Sequence, residues 1–169
     1  MVLAAGAGGA GLSTIAPELR ALRPVKGQIL HLDVPPISGP VVRGSFGYVA
    51  PQTRGAVVGA TMQAGLVDRL VDSQVLASLQ AGAAQVFPHL TDAPAKGFAG
   101  VRASTPDGLP LVGPSSRPGL LLALGARRNG WLLGPMIGEM IAAYLLGEDP
   151  GLHAAAMNPL RAFDLGVQV

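Results

Sequence analysis

Apolar positions recur along the chain at helical and at strand spacing. Over residues 72–87, Val75, Leu76, Leu79, Ala83 and Val86 fall at helical intervals between a candidate cap, Asp72 or Ser73, and a stop at Pro88. That spacing predicts an amphipathic α-helix. A second helix is predicted after Arg127-Arg128-Asn129-Gly130, where Leu133, Met136, Ile137, Met140, Ile141, Tyr144 and Leu145 share one broad face. Pro135 is expected near its first turn, where a proline is tolerated. Around these helices lie β-like runs at 28–34 (QILHLDV), 40–51 (PVVRGSFGYVAP), 55–63 (GAVVGATMQ), 97–105 (GFAGVRAST) and 119–125 (GLLLALG), each bounded by Gly or Pro. "MVLAA" at 1–5 reads as a short buried strand and "LSTIAPELRAL" at 12–22 as a short helix. Strands, a helix, further strands and a final helix make an α+β order, not a regular βαβ alternation.

Composition narrows the function classes. With 169 residues, 49% hydrophobic and 13% charged, the chain can bury a real core. A net charge of +2, from 12 basic and 10 acidic residues, comes with scattered arginines and leaves no electrostatic footprint for nucleic acid. There are no cysteines, so disulfide and thiolate chemistry are excluded. His31, His89 and His153 are too far apart to spell a metal motif, and no metal is expected. The stretch "WLLGPMIGEMIAAYLL" contains Pro135 and Glu139 and is too short for a membrane span. The N-terminus lacks a basic n-region, so a soluble cytoplasmic protein is expected.

Near the N-terminus, Gly6-Ala7-Gly8-Gly9-Ala10-Gly11 spells G-x-G-x-x-G. The spelling signifies a dinucleotide loop only between a strand and a helix, with an acid about 20 residues on for the ribose, a place Asp33 could take. Pro17 interrupts the candidate helix, Pro24 and Gly27 interrupt the return, and a chain with 24 glycines produces this spelling by chance.

Four segments follow one another in an order that resembles the C-terminal half of the FAD-dependent amino-acid and amine oxidases of the D-amino-acid oxidase superfamily. They are "RPVKGQILHLD", "GYVAP…GAVVGATMQAG", "GFAGVRASTPDGLPLVGP" and "GLLLALGARRNGWLLGPMIGEMIAAYLLG". The likeness is nearest to the glycine oxidases of thiamine biosynthesis. It implies a mostly antiparallel substrate-domain sheet and a C-terminal helix that belongs to the FAD-binding domain. Residues 1–22 would be a strand, glycine turn and short helix of the FAD-binding domain, 23–105 the substrate-binding sheet with one helix, and 106–169 the return to the FAD-binding domain. The glycines at 6–11 would then be a flavin-proximal turn and not the phosphate fingerprint.

The resemblance also implies roles. Arg102 and Tyr48 match the family's clamp on the substrate carboxylate, and a guanidinium suits this because its planar fork meets both oxygens. Arg128 matches an arginine at the mouth of the active site, near both substrate and flavin. Phe46 and Met62 would line the substrate pocket. Ala5, Gly6, Gly125, Arg128, Asn129, Gly130, Trp131, Leu132 and Leu133 would contact FAD, the helix N-terminus favouring negative charge on the flavin. Arg127 is expected to be a solvated turn residue, and Asp107 to organise its own turn. Ala126 stands where many relatives have a histidine, and Phe46 replaces a polar residue of the glycine oxidases, so glycine, sarcosine or another small amine all fit.

On this reading the family's N-terminal half is absent, and the chain is expected to be a truncated product or one part of a split enzyme partnered by a chain that supplies the rest. Met1 falling inside what would be a central strand favours truncation. Self-association is expected where the strand at 2–5 and the apolar helix faces lack a cover. The alternative is a catalytically silent binding or assembly module left by truncation of such an oxidase.

Overall fold

The computed structural model describes residues 1–165 and is of the α+β class. The chain forms two compact units, one from Met1–Val25 with the segment beginning at Arg102, the other Lys26–Val101.

In the first unit, β1 (Val2–Leu3), β8 (Leu111–Pro114) and β9 (Leu121–Leu124) form a mixed sheet in the order β1-β9-β8. β1 runs parallel to β9, and β8 antiparallel to it with Leu111 opposite Leu124. The apolar run of β9 follows from burial on both faces. Leu122 and Leu124, with Leu111, pack on one side against Ala16, Leu19 and Leu22. Leu121, Ala123 and Val112 pack on the other against Met140, Ile141 and Met157. A strand covered on both sides needs no polar alternation.

The covering element on the second face is α2 (Gly130–Leu146), which ends on Gly147 in the left-handed conformation. Its approach depends on Gly113, at φ +128°, where a Cβ would lie 3.0–3.1 Å from the Tyr144 ring. Pro135 is the sixth residue of this helix and not in its first turn. It has no N–H to offer the Trp131 carbonyl four residues back.

The predicted helix at 12–22 is absent. Gly6–Leu12 and Pro17–Ala21 are instead separate 3-10 segments, because Pro17 can only open a new one, and strand β1 is just two residues long. Fully buried Glu18 accepts from the Ser116 amide and, at 3.2 Å, from the Ser115 hydroxyl. Its carboxylate thus organises the β8–β9 turn, where buried polar groups need partners.

In the second unit β2 (Arg23–Leu32), β3 (Val42–Gly44), β4 (Gly47–Pro51), β5 (Ala56–Gly59) and β6 (Gln63–Ala64) are ordered β3-β4-β5-β2-β6, and β7 (Ala95–Ser104) pairs with β2. The β2–β5, β3–β4 and β4–β5 pairs are antiparallel. The run read as one strand over 40–51 is a hairpin. Gly44 faces Gly47 across Ser45-Phe46, and Gly47, at φ +127°, leaves no room for a Cβ beside the Gly59 carbonyl oxygen. The run at 55–63 likewise divides into β5 and β6.

α1 (Ser73–Val86) matches its predicted span, with the Asp72 carboxylate accepting from the Gln74 and Val75 amides as the N-cap. Its Leu79 and Ala83 pack on Leu30, Leu32, Val49, Ala56 and Val58. Fully buried Gln28 joins three elements: its amide N–H bonds Thr61 Oγ1, its side-chain nitrogen donates to Gln63 at 2.8 Å, and its side-chain oxygen accepts from the Asp72 amide at 2.7 Å.

No helix among the described residues is long and apolar enough to cross a membrane, and none of their His, Cys, Asp and Glu side chains group as a metal site.

Three measurements follow from this packing. Leu122→Ala should lose about 2–5 kcal/mol in urea unfolding, because a fully buried leucine leaves a cavity behind. Gln28→Ala strips partners from Gln63 and from the Asp72 amide, and should cost roughly 1–3 kcal/mol in the same assay. The third is a pH effect. Asp107 accepts from Arg161 Nε at 2.8 Å, and chiefly this bond holds its carboxyl at about 2, below the ordinary 3.8. Folding depresses this pKa, so the contribution is complete above about pH 4 and lost as the pH falls toward 2. It amounts to no more than about 1 kcal/mol, since solvent screens the pair. Asp107→Asn should flatten that part of the stability profile.

Candidate active site

The site in the first unit is built where the end of β7, which joins this unit from Arg102 on, meets the loop leading from β9 into α2. Gly125 follows β9 at φ +82°, buried against Leu22 and Thr105. Arg127 then takes φ +54°, the single non-glycine residue with positive φ among those described. A residue with a Cβ adopts that conformation at a cost of roughly 1–2 kcal/mol. It is held there by its amide, which donates to the Ala103 carbonyl of β7 at 3.0 Å. Asn129 precedes α2 without capping it by its side chain, and Leu133 makes the first helical bond, to the Asn129 carbonyl at 2.8 Å. The helix therefore supplies no acceptor for the Gly130, Trp131 and Leu132 amides.

These elements bring Arg102, Arg127, Arg128, Gly130, Trp131, Gly134 and Pro135 around a cavity of about 570 Å³, within the range of small-ligand sites. NH1 of Arg102 is buried and has no hydrogen-bond partner, an arrangement that costs free energy unless a ligand meets it. Among the described residues the ion pairs are Lys26–Asp68 and Arg161–Asp107, so none of the three cavity arginines has an acidic partner. Trp131 is 98% exposed and Leu132 78%. Three unneutralised guanidinium groups beside the positive end of a helix dipole make a site for anions.

The cavity thus unites Arg102, Arg128, Gly130 and Trp131 of the expected residues. Arg127, exposed as expected, also borders it, and Gly134 and Pro135 had not been singled out. Gly125 and Asn129 shape the loop, and Leu133 begins the helical ladder. Ala5 and Gly6 sit at the open turn after β1, where a Cβ on Gly6 would touch nothing. That turn opens a seven-residue 3-10 segment and no α-helix.

In the second unit, Phe46 lines a cavity of about 460 Å³ with Thr61, Asp72, Gln74, Val75, Ser78 and Leu79. Its ring also packs over Gly82 of α1. Tyr48 lies under the Arg43 guanidinium, 5.6 Å from the ring centroid, with its hydroxyl over Gly59. Met62 is half-buried between β5 and β6. Asp107 binds the Leu109 amide of its own turn as well as Arg161.

Comparison with known proteins agrees with this architecture. The family model described as FAD dependent oxidoreductase (DAO) matches residues 1–144. The chain is 39% identical to the tRNA 5-methylaminomethyl-2-thiouridine biosynthesis bifunctional protein MnmC of Caulobacter sp. (strain K31), over 86% of this chain and 24% of that protein. It is 33% identical to the glycine oxidase of Pseudomonas aeruginosa, over 94% of this chain and 45% of that protein. Its fold superposes on glycine oxidase from Geobacillus kaustophilus with a TM-score of 0.79 at 30% identity, covering 93% of this chain and 44% of that one. The chain thus spans less than half the length of these relatives. With one family pattern running from β1 through most of α2, the chain belongs to the DAO family of FAD-dependent oxidoreductases.

Proposed function

We propose that this chain carries the substrate-side machinery of an FAD-dependent oxidase that converts a small amino acid or amine, such as glycine or sarcosine, to its imine. The observation that carries the reading is the buried, unpartnered NH1 of Arg102, in a cavity that also holds Arg128 and the first turn of α2. The same residues fit the cofactor: exposed Trp131 and Leu132 give it an apolar surface, and the Gly130–Leu132 amides offer donors for negative charge. On this reading Gly125, Arg128, Asn129, Gly130, Trp131, Leu132 and Leu133 hold it, with Ala5 and Gly6 as a flanking turn.

When bound, the flavin supplies the redox chemistry by accepting the Cα hydrogen of the substrate as hydride. The amine lone pair closes the C=N bond as the Cα–H pair departs, and water then hydrolyses the imine. The protein's part is positioning. Arg102 holds the carboxylate through both arms of its fork, and so fixes which substituent of Cα is presented for transfer. We assign the Tyr48 phenol as a neutral donor to the substrate, and Phe46 and Met62 as apolar lining. Arg128 and the helix amides hold negative charge as it develops, and they stay fixed throughout. Asp107 is engaged by Arg161 and the Leu109 amide, so it serves as a turn brace and not as a base.

The test is a chimaera in which this chain replaces the matching 45% of the Pseudomonas aeruginosa glycine oxidase. It should bind FAD and release hydrogen peroxide with glycine or sarcosine. A chimaera that is folded and flavin-loaded yet inert toward small amino acids and amines would sink the proposal and favour the silent module. Within the active chimaera, Arg102→Ala should lose about 2–5 kcal/mol in kcat/KM for amino acids, roughly 30-fold to several thousand-fold. Arg102→Lys should recover only part of it, having the charge without the fork. A simple amine lacking the carboxylate should be turned over almost as well by Arg102→Ala as by the parent. Equal losses on both substrates would move Arg102 from the substrate to the fold.

A further inference from the structure

We propose that Asn129 is a self-modifying site: its side-chain amide converts spontaneously to a carboxylate, and the new charge closes the anion site at the first turn of α2. This rests on the anion-binding character of the cavity and not on the reaction proposed for it. Asparagine is among the thermolabile residues, and it reacts most readily when its side chain is free and the next backbone nitrogen is unengaged and uncrowded. Asn129-Gly130 meets these conditions. Both residues are exposed, and the Asn129 side chain makes no hydrogen bond among the described residues. No acceptor takes the Gly130 amide, and a Cβ added at Gly130 would touch nothing.

The Gly130 nitrogen gives its proton to water as it attacks Asn129 Cγ. The Cγ–Nδ2 bond breaks, and the departing nitrogen takes up a proton and leaves as ammonia. Water then opens the cyclic imide, at Cγ to leave aspartate or at the backbone carbonyl to leave isoaspartate. The net exchange is water for ammonia, with no other reactant. Ring closure requires Asn129 to leave its ψ of 11°, which gives up the bond from the Leu133 amide to the Asn129 carbonyl at 2.8 Å. One bond of this turn is already missing, because Pro135 has no N–H for the Trp131 carbonyl.

Two other places in the chain show what restrains this chemistry. Asn158, the other asparagine of the sequence, precedes Pro159, whose nitrogen has no proton to lose, and its side chain accepts from the Leu160 amide at 2.9 Å. Asp107-Gly108 can form the same imide, yet the Gly108 amide bonds the Thr105 carbonyl at 3.1 Å and Arg161 holds the Asp107 carboxylate. Only at Asn129-Gly130 are both partners free.

The consequence follows from the position. A carboxylate at an N-cap accepts from the second and third helical amides, here those of Trp131 and Leu132, which a bound anion would otherwise use. It also places an acid between Arg128 and Gly130, both of which line the cavity. The site then supplies its own anion and turns others away.

The chain as it stands is aged in mildly alkaline buffer and followed by peptide mass mapping, with a synthetic peptide spanning 125–134 as the unrestrained reference. Asn129 should gain the amide-to-acid mass shift at a first-order rate below that of the peptide, while Asn158 stays unchanged. Gly130→Ala should slow the conversion severalfold. Inorganic pyrophosphate, titrated by calorimetry, should bind the aged chain and Asn129→Asp about 3-fold to 10-fold more weakly than the fresh chain, one screened charge being set against it. Asn129→Gln, whose longer side chain closes only a larger and slower ring, should keep its affinity through ageing. Native circular dichroism of Asn129→Asp distinguishes a closed site from a lost fold.

An Asn129 that stays intact in the folded chain long after the peptide has converted overturns the proposal. So does an aged chain, or a folded Asn129→Asp, that binds pyrophosphate as tightly as the fresh chain. Failure of the fresh chain to bind pyrophosphate removes the anion site and this proposal with it, whereas the oxidase reading is decided separately by the chimaera.

Discussion

One backbone hydrogen bond, from the Arg127 amide to the Ala103 carbonyl, is the constraint on which the candidate site depends. It ties the loop that leaves β9 to the strand that carries Arg102, and so fixes two cavity arginines in one frame. Gly125 and Arg127 beside it both sit in the left-handed region, and the second of them does so at a cost. The sheet beneath makes the frame rigid, because β9 is buried on both faces and has no freedom to slide in register.

Electrostatics then decide what this frame accommodates. The first turn of α2 offers amides that no side chain caps, and three guanidinium groups converge nearby without acids to absorb their charge. Elsewhere in the same unit the opposite solution appears: Asp107 and Arg161 neutralise one another, and Glu18 is consumed by the Ser115–Ser116 turn. These two carboxylates are spent on structure, and no acid lines the cavity.

Much of this was legible in the sequence where local rules govern. Asp72 and Pro88 delimit α1 because caps and prolines act within a few residues, and the Leu79–Ala83 stripe followed from helical period. The motifs around Arg102 and Arg128 singled out two residues that line one cavity. The errors came where tertiary partners decide. "PVVRGSFGYVAP" looked continuous, since the reversal at Ser45-Phe46 depends on Gly47 meeting Gly59 of another strand. β8 was not read as a strand because its pairing with β9 lies across a turn shaped by buried Glu18, ninety-odd residues earlier in the chain. Arg127 is exposed, as its place in the turn implied, but its backbone bond to β7 is long-range and no spacing in its own segment records it.

Pro135 gives the cavity rim a second character. The Trp131 carbonyl, which a proline four residues on cannot engage, lies one turn from amides that the helix also leaves unmet. The same short stretch of backbone therefore presents donors and an acceptor side by side. An anion alone satisfies half of it. A group that carries both signs side by side is complementary to the whole of it.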